Sequence, residues 1–470
     1  MPSADPLMTV FRFDHVYDAS GWMSPGYISV DGDGNIAAIS QNAPDAAPEF
    51  SSESVAENIG GIAVPGIANL HSHAFQRAMA GLSEFRTDAA EDSFWTWRDL
   101  MYRFVGQITP DDLEAIAAQL YVEMLKSGYT AVGEFQYLHH DRDGSPFANP
   151  AEMTLRTLAA AQDTGIGATF LPVLYQYSGF GEQTPGDGQR RFINDTDGFL
   201  RIYETIAAAT DGDPDLHAGV APHSLRAAEE DAIRAVTGGI HPNAPVHIHI
   251  AEQEKEVADC LVWSGLRPVE LLLDRLPVDS RWCLIHATHM TETEARAAAA
   301  SGAVAGLCPT TEANLGDGLF DLPGWLDADG AAGIGSDSHI SISPVEELRL
   351  LEYGQRLRHR RRNVTATSGV STGRRLLDLA VTGGARALGR SDESGLCAGA
   401  RADIVVLDAD APVFAGQRCD TFLESWIFSG NVPVVTDVFV GGKQVVRGGH
   451  HPREAEIAAR YRRVLGALMN

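Results

Sequence analysis

Apolar and polar positions along the chain fall into three regimes. In the first sixty residues, short alternating runs such as Tyr27–Val30 and Asn35–Ile39 flank Asp31-Gly32-Asp33-Gly34, a hairpin pattern. The end of the chain repeats this style, with Ala402–Asp408, Val434–Val440, a Gly441-Gly442 turn and Lys443–Val446. Between these ends, apolar runs alternate with long stretches of helical period. Eight runs predict strands: Gly61–Leu70, Thr130–Phe135, Gly167–Leu174, Leu216–Ala221, Pro245–Ala251, Arg281–His286, Ala303–Leu307 and Ala331–Gly335. Helices are predicted at Pro110–Ser127, Pro150–Gly165, Asp195–Thr210 and Thr291–Ser301, and a polar loop at Ser178–Asn194. Strand–helix alternation implies a parallel sheet, and eight repeats over roughly 270 residues match the size of a (β/α)8 TIM barrel. A doubly wound open sheet is the alternative, but no Gly-x-Gly-x-x-Gly or phosphate-cradling loop supports a nucleotide site.

Composition narrows the function. The chain has 470 residues, 44% of them apolar, with 36 Lys and Arg against 63 Asp and Glu, a net charge of −27. That balance argues against nucleic acid and anionic membrane surfaces as partners. Arg358-His359-Arg360-Arg361-Arg362 is then a solvated or ion-paired helix face. Five scattered cysteines without a Cys-x-x-Cys, no basic and apolar leader, and no run of about 18 apolar residues point to a reducing cytoplasmic location.

In a barrel, the active site lies at the C-terminal ends of the strands. Those ends carry His71 and His73, then His223 and Arg226, His247 and His249 with Glu252, His286 and His289, and finally Asp337 and His339. Three imidazoles and a carboxylate suit Zn2+ or a similar divalent ion with one position left for water. Such an ion acidifies water to a pKa of about 7. Glu252, three residues past His249, can take a proton and return it to a leaving nitrogen. His286 can polarise the group under attack, and Asp337 can serve both metal and water.

These residues carry a family resemblance over nearly the whole length. The chain resembles the amidohydrolase superfamily, in its mononuclear deaminase branch. The resemblance rests on Val64-Pro65-Gly66 leading into His71-x-His73, on His249-x-x-Glu252, His286 and Ser336-Asp337, and on the tail Gly395-Leu396 … Gly399–Val406. It implies that residues 61–390 form the barrel. Residues 1–60 and 391–470 would then build a small β-sandwich, with a terminal helix in the second segment. Binuclear members use a carbamylated Lys at the fourth strand, and no Lys lies between Lys126 and Lys255 here. Within the branch, Asn69–Gly81, Gly133–His140, Pro222–Arg226 and Thr310–Gly318 are similar to members that deiminate N-formimino-L-glutamate.

That resemblance implies one Zn2+ per subunit on His71, His73, His249 and Asp337, with Glu252 and His286 moving protons and polarising substrate. Gln76, Tyr137, His223 and Arg226 would contact substrate, Arg226 as a fork for a carboxylate. Gln136 departs from the pattern, where His is expected beside the Tyr. His247 competes with His249, but the Glu252 spacing favours His249. His286 is favoured over His289 because it directly ends its strand. His139, His140, His339, His450 and His451 read as loop or surface, and Trp95 and Trp97 as packing beneath a mobile loop. The expected partner is a small dicarboxylate, in a homodimer. Rival expectations are deamination of a purine, pterin or triazine on the same chemistry, and a non-catalytic binding protein on a dead barrel.

Overall fold

Gly66 divides one apolar run between two sheets. In the computed structural model, which describes residues 8–43, 56–85, 94–390 and 394–469, the expected strand Gly61–Leu70 is two strands, Ile62–Pro65 and Ile67–Ser72. The first pairs antiparallel with Ile404–Leu407 and parallel with His15–Asp18. The second pairs parallel with Tyr129–Gln136. A Cβ at Gly66 would overlap the Thr130 side chain, so the crossing between sheets requires glycine.

The two ends of the chain meet in a six-stranded sheet, ordered Lys443–Val446, Val435–Val440, Ile404–Leu407, Ile62–Pro65, His15–Asp18, Gly21–Met23. A four-stranded sheet from the N-terminal region, Ile36–Ser40, Gly26–Val30, Thr9–Phe13 and Ala56–Asn58, shares an apolar core with it. Strand period 2 explains why the central strands are apolar throughout. Ala63, Ile404 and Val406 enter that shared core, whereas Ile62, Val64, Val405 and Leu407 turn to the main core of the molecule.

The middle of the chain alternates parallel strands with helices. One sheet runs Ile67–Ser72, Tyr129–Gln136, Gly167–Leu174, Leu216–Ala218, with Ala221–Pro222 also on the third strand. The expected strand Leu216–Ala221 is thus broken at Gly219, where a Cβ would meet the Pro245 carbonyl. The other sheet runs Val246–Ile250, Trp282–His286, Val304–Leu307, Ala331–Ile334. Parallel bridges Val220↔Val246 and Ser72↔Asp337 link the two sheets at both seams. Helix Pro110–Ser127 has its end signals in sequence: a Thr109–Asp112 capping box, Pro110 in the first turn and Gly128 in the left-handed region.

No helix among the described residues is long and apolar enough to cross a membrane. The five cysteines are free.

Helix Thr372–Ala387 closes against strand Ala331–Ile334 through Gly383, where an added Cβ would run into the Ala332 carbonyl. Ala is ordinarily better than Gly in a helix by about 1 kcal/mol. At this position the sign reverses: Gly383→Ala is expected to cost about 1–3 kcal/mol by overpacking. Thermal or denaturant unfolding of the purified variant measures it.

Candidate active site

The end of strand Ile67–Ser72 is held rigidly before it reaches any chemistry. Fully buried Glu134 accepts hydrogen bonds from Ser72 Oγ (2.7 Å), Ala74 N (2.8 Å) and Tyr121 Oη (3.1 Å). The His71-Ser72-His73 turn is therefore fixed from behind. On the other side, Asp337 N donates to His71 O (3.0 Å) and His73 N to Asp337 O (3.3 Å). His71, His73 and Asp337 thus share one seam between the first and last parallel strands.

His249, near the end of strand Val246–Ile250, completes the cluster. Its Nε2 lies 3.0 Å from His71 Nε2. Asp337 Oδ1 lies 3.5 Å from His71 Nε2 and 3.4 Å from His73 Nε2. Backbone acceptors fix two of the tautomers. His73 Nδ1 bonds the Phe135 carbonyl (2.8 Å) and His249 Nδ1 the His223 carbonyl (3.1 Å), so both Nδ1 atoms carry the proton. Both Nε2 lone pairs then face the same point as the carboxylate.

Burial keeps these rings neutral. It holds His71 and His249 well below the usual histidine range and takes His73 to about 3. Burial also lifts Asp337 to about 7. Converging lone pairs and a desolvated carboxylate repel one another unless a cation sits among them, so the donor set fits a divalent ion. His71, His73 and His249 form one group able to hold a metal, and His71, His286 and Asp337 another.

His286 sits at the edge of this cluster among carboxylates. Its Nε2 is 3.8 Å from Glu252 Oε1 and 3.7 Å from Asp337 Oδ2, and its Nδ1 is 3.3 Å from Glu312 Oε1. Burial pulls its pKa down, but Glu252, the Glu312 hydrogen bond and Asp337 outweigh it and lift it to about 10. Glu312 is the residue the sequence reading passed over. It lies in the Thr310–Gly318 segment, just beyond strand Val304–Leu307, and is held by Cys308 N (2.9 Å). A carboxylate beyond a strand end was the available signal.

A cleft opens around the cluster. Gln76, Tyr137, His223, Arg226, Glu252 and His286 all line it. Gln76 Nε2 donates to Tyr137 Oη (3.1 Å), and Gln76 Oε1 is buried without a partner. Arg226 is 8% exposed and makes no hydrogen bond or ion pair among the described residues. The roof is helix Phe94–Val105, which contributes Trp97, Arg98, Met101 and Tyr102. Trp97 therefore lies on a helix rather than beneath a loop, and the Trp95 side chain lies outside the described residues.

Several histidines read as loop or surface are buried. His139 and His140 bond the carbonyls of Val173 (2.9 Å) and Ile193 (2.7 Å), pinning the loop that follows the third parallel strand. Arg191 of that loop donates to the carbonyls of His140 and Ile108 (2.8 and 2.9 Å) and also of Val105, tying the loop to the roof. His451 bonds the Thr164 carbonyl (3.0 Å), while His450 stays exposed. His339 is fully buried behind the His71–Asp337 seam. His247 Nε2 is bonded to the Ala387 carbonyl (2.6 Å) instead. Gln136 is buried too, its Oε1 accepting from Leu138 N (3.3 Å).

Comparison with known proteins agrees with this architecture. The amidohydrolase family model matches residues 62–445. A formimidoylglutamate deiminase from Pseudomonas aeruginosa is 50% identical over 451 residues, 96% of this chain and 97% of that protein. A crystal structure of an amidohydrolase from Brucella melitensis superposes with a TM-score of 0.92 at 48% identity, covering 98% of this chain and all of that one. An adenosine deaminase from Xanthomonas campestris with bound zinc superposes with a TM-score of 0.82 over 99% of both chains; at 21% identity this likeness concerns the fold.

Ligand binding at the His/Asp cluster is expected to stabilise the folded state by mass action. Zn2+ added to metal-stripped protein at a hundred times Kd should raise the unfolding free energy by about 2.7 kcal/mol. A thermal melt reads this as a higher midpoint, and His249→Ala should lose the shift. An unchanged midpoint in the unsubstituted chain would remove the metal centre.

Proposed function

The chain belongs to the amidohydrolase family and is a hydrolase acting on carbon–nitrogen bonds, and from that premise we propose that it hydrolyses N-formimino-L-glutamate to N-formyl-L-glutamate and ammonia in histidine degradation. The observation that carries the choice of substrate is Arg226. A buried guanidinium without a hydrogen-bond or ion-pair partner among the described residues, in the same cleft as the His/Asp cluster, leaves its fork for a carboxylate brought by the ligand. A neutral purine, pterin or triazine would leave that charge buried and unpaired.

In this reading His71, His73, His249 and Asp337 hold one Zn2+ per subunit. When bound, the ion supplies Lewis acidity that makes water nucleophilic near neutral pH. The chain's own groups do the rest. Arg226 and His223 orient the glutamate carboxylates, and Gln76 and Tyr137 supply further polar contacts. Glu252 accepts a proton from water as its oxygen bonds to the formimino carbon and delivers it to the imino nitrogen, then carries the remaining hydroxyl proton to that same nitrogen as the C=O forms. His286 presents a positively charged Nε2–H between Glu252 and Asp337, aimed at the group under attack. Glu312 on Nδ1 keeps the ring oriented. The C–N bond to the imino nitrogen breaks, ammonia leaves, and the new C=O remains on the formyl product.

The same reading takes residues 61–390 as a (β/α)8 barrel. The parallel bridges at both seams support closure. Residues 1–60 and 391–470 are taken as a β-sandwich with a terminal helix, supported by the shared core of the two end sheets. Five free cysteines accord with a cytoplasmic enzyme. Exposed Leu357 and Val432 give apolar surface for the expected homodimer.

The direct test is an assay of purified, zinc-loaded protein with N-formimino-L-glutamate. Ammonia and N-formyl-L-glutamate should appear in equal amounts; formamide and glutamate instead would overturn the reaction. Arg226→Met should lower kcat/KM for this dicarboxylate by roughly a hundredfold or more, given the strength of hydrogen bonds between charged groups. An equal loss on a neutral amidine of similar size would show that Arg226 does not act on a carboxylate.

A further inference from the structure

Polar residues of the two segments that carry His71, His73 and Asp337 are joined, with Glu134, into one continuous hydrogen-bonded line. Asn69 Nδ2 donates to Ser336 Oγ (2.6 Å), and Ser336 N donates back to Asn69 Oδ1 (3.0 Å), which fixes the orientation of the amide. Ser336 Oγ is 2.9 Å from His339 Nδ1, and His339 Nε2 is 3.1 Å from Ser72 Oγ. Ser72 Oγ donates to Glu134 Oε2. All five side chains are fully buried.

The two ends of this line set its direction. An amide nitrogen can only donate and a carboxylate can only accept. With Asn69 donating at one end, Ser336 passes its proton to His339 Nδ1. With Glu134 accepting at the other, Ser72 has given its only proton away and must accept from His339 Nε2. His339 is therefore the neutral ring protonated on Nε2, and every donor in the line points the same way.

We propose that His339 is a positioning residue, the centre of a one-directional belt Asn69–Ser336–His339–Ser72–Glu134 that fixes the spacing of His71, His73 and Asp337. The belt stitches segment 69–73 to segment 336–339 from behind, with Ser72 between His71 and His73 and Ser336 next to Asp337. It also holds a costly backbone: Asp337 and His339 have φ of 47° and 59°, a region that side-chain-bearing residues seldom adopt. The inference rests on the reading that His71, His73 and Asp337 hold the ion.

Isosteric substitutions that reverse donors without changing volume test it. Asn69→Asp removes the donor at one end, and Glu134→Gln removes the pure acceptor at the other. With His339 neutral, each single change sets two donors or two acceptors face to face somewhere along the line. The metal-stripped variants are titrated with Zn2+ against a chromophoric chelator, with circular dichroism as the check of folding. Each single variant should bind Zn2+ about ten- to a hundredfold more weakly, the usual effect of losing support behind a ligand. The double variant reverses the whole line: the introduced amide donates to Ser72 and Tyr121, His339 shifts its proton to Nδ1, and the introduced carboxylate accepts from Ser336. It should therefore recover most of the affinity.

Ser72→Ala, which cuts the line with loss of one oxygen, should weaken binding to the same degree and serves where a reversed variant does not fold. Single variants binding within threefold of the unsubstituted chain would overturn the belt, as would a double variant weaker than either single. Failure of the unsubstituted chain to bind Zn2+ would instead overturn the metal-centre reading on which the belt rests. No substrate is needed in any of these measurements, so the outcome does not depend on which C–N bond the protein hydrolyses.

Discussion

Desolvation of the His/Asp cluster is the constraint on which the rest of the cleft depends. Three neutral imidazoles and Asp337 converge with their acceptor atoms within about one ligand shell of each other, and the neighbouring His286 is shared among Asp337, Glu252 and Glu312. Burying such groups without compensation costs several kcal/mol. The fold accepts this by spending rigid structure on it. His73 and His249 are locked by backbone carbonyls, and the turn carrying His71 and His73 is locked by Glu134. An arrangement that is unfavourable alone and held from every side is pre-organised for a cation.

Backbone strain follows the same map. Non-glycine residues with positive φ include Ala251, His286, Ala287, Asp337 and His339, all at or just beyond the C-terminal ends of parallel strands. Such conformations cost of order 1–3 kcal/mol each and persist only where the surroundings determine them. At His286 the return is orientation, with one ring nitrogen toward Glu312 and the other between Glu252 and Asp337. A relaxed strand end would carry its side chain on to the next pleat and away from the cluster.

The helices were legible in sequence because their ends carry local chemistry. Thr109 with Asp112, Asp195, and Thr291 with Glu294 cap their helices as their residue types predict, and Gly128 and Gly165 end them in the left-handed region. The broken strands were not legible. Gly66 and Gly219 interrupt apolar runs because of what packs against them, Thr130 and Pro245, residues remote in sequence. The histidines divide in the same way. Those that end strands in register could be placed by order along the chain. His139, His140, His339 and His451 could not, since a histidine that bonds a distant carbonyl or hydroxyl in the interior has the same local sequence signature as one in water. Glu312 was hidden because its partner, His286, belongs to a different strand.

Charge gives the last step. A chain with net charge −27 opposes the approach of a dianion, so selectivity for one has to come from groups at short range. Arg226 is such a group, yet its burial carries a penalty that no ion pair among the described residues removes. The largest favourable influence on it is Glu256, whose own carboxylate is buried and accepts from Glu252 N at 3.2 Å. That acidic neighbour keeps the guanidinium charged without occupying its fork. Glu256 also holds the backbone of Glu252, so the group that would recognise the carboxylate and the group that would move the proton are set by one side chain. A ligand lacking the carboxylate leaves Arg226 uncompensated, and one that carries it completes a charge balance that the acidic chain leaves open.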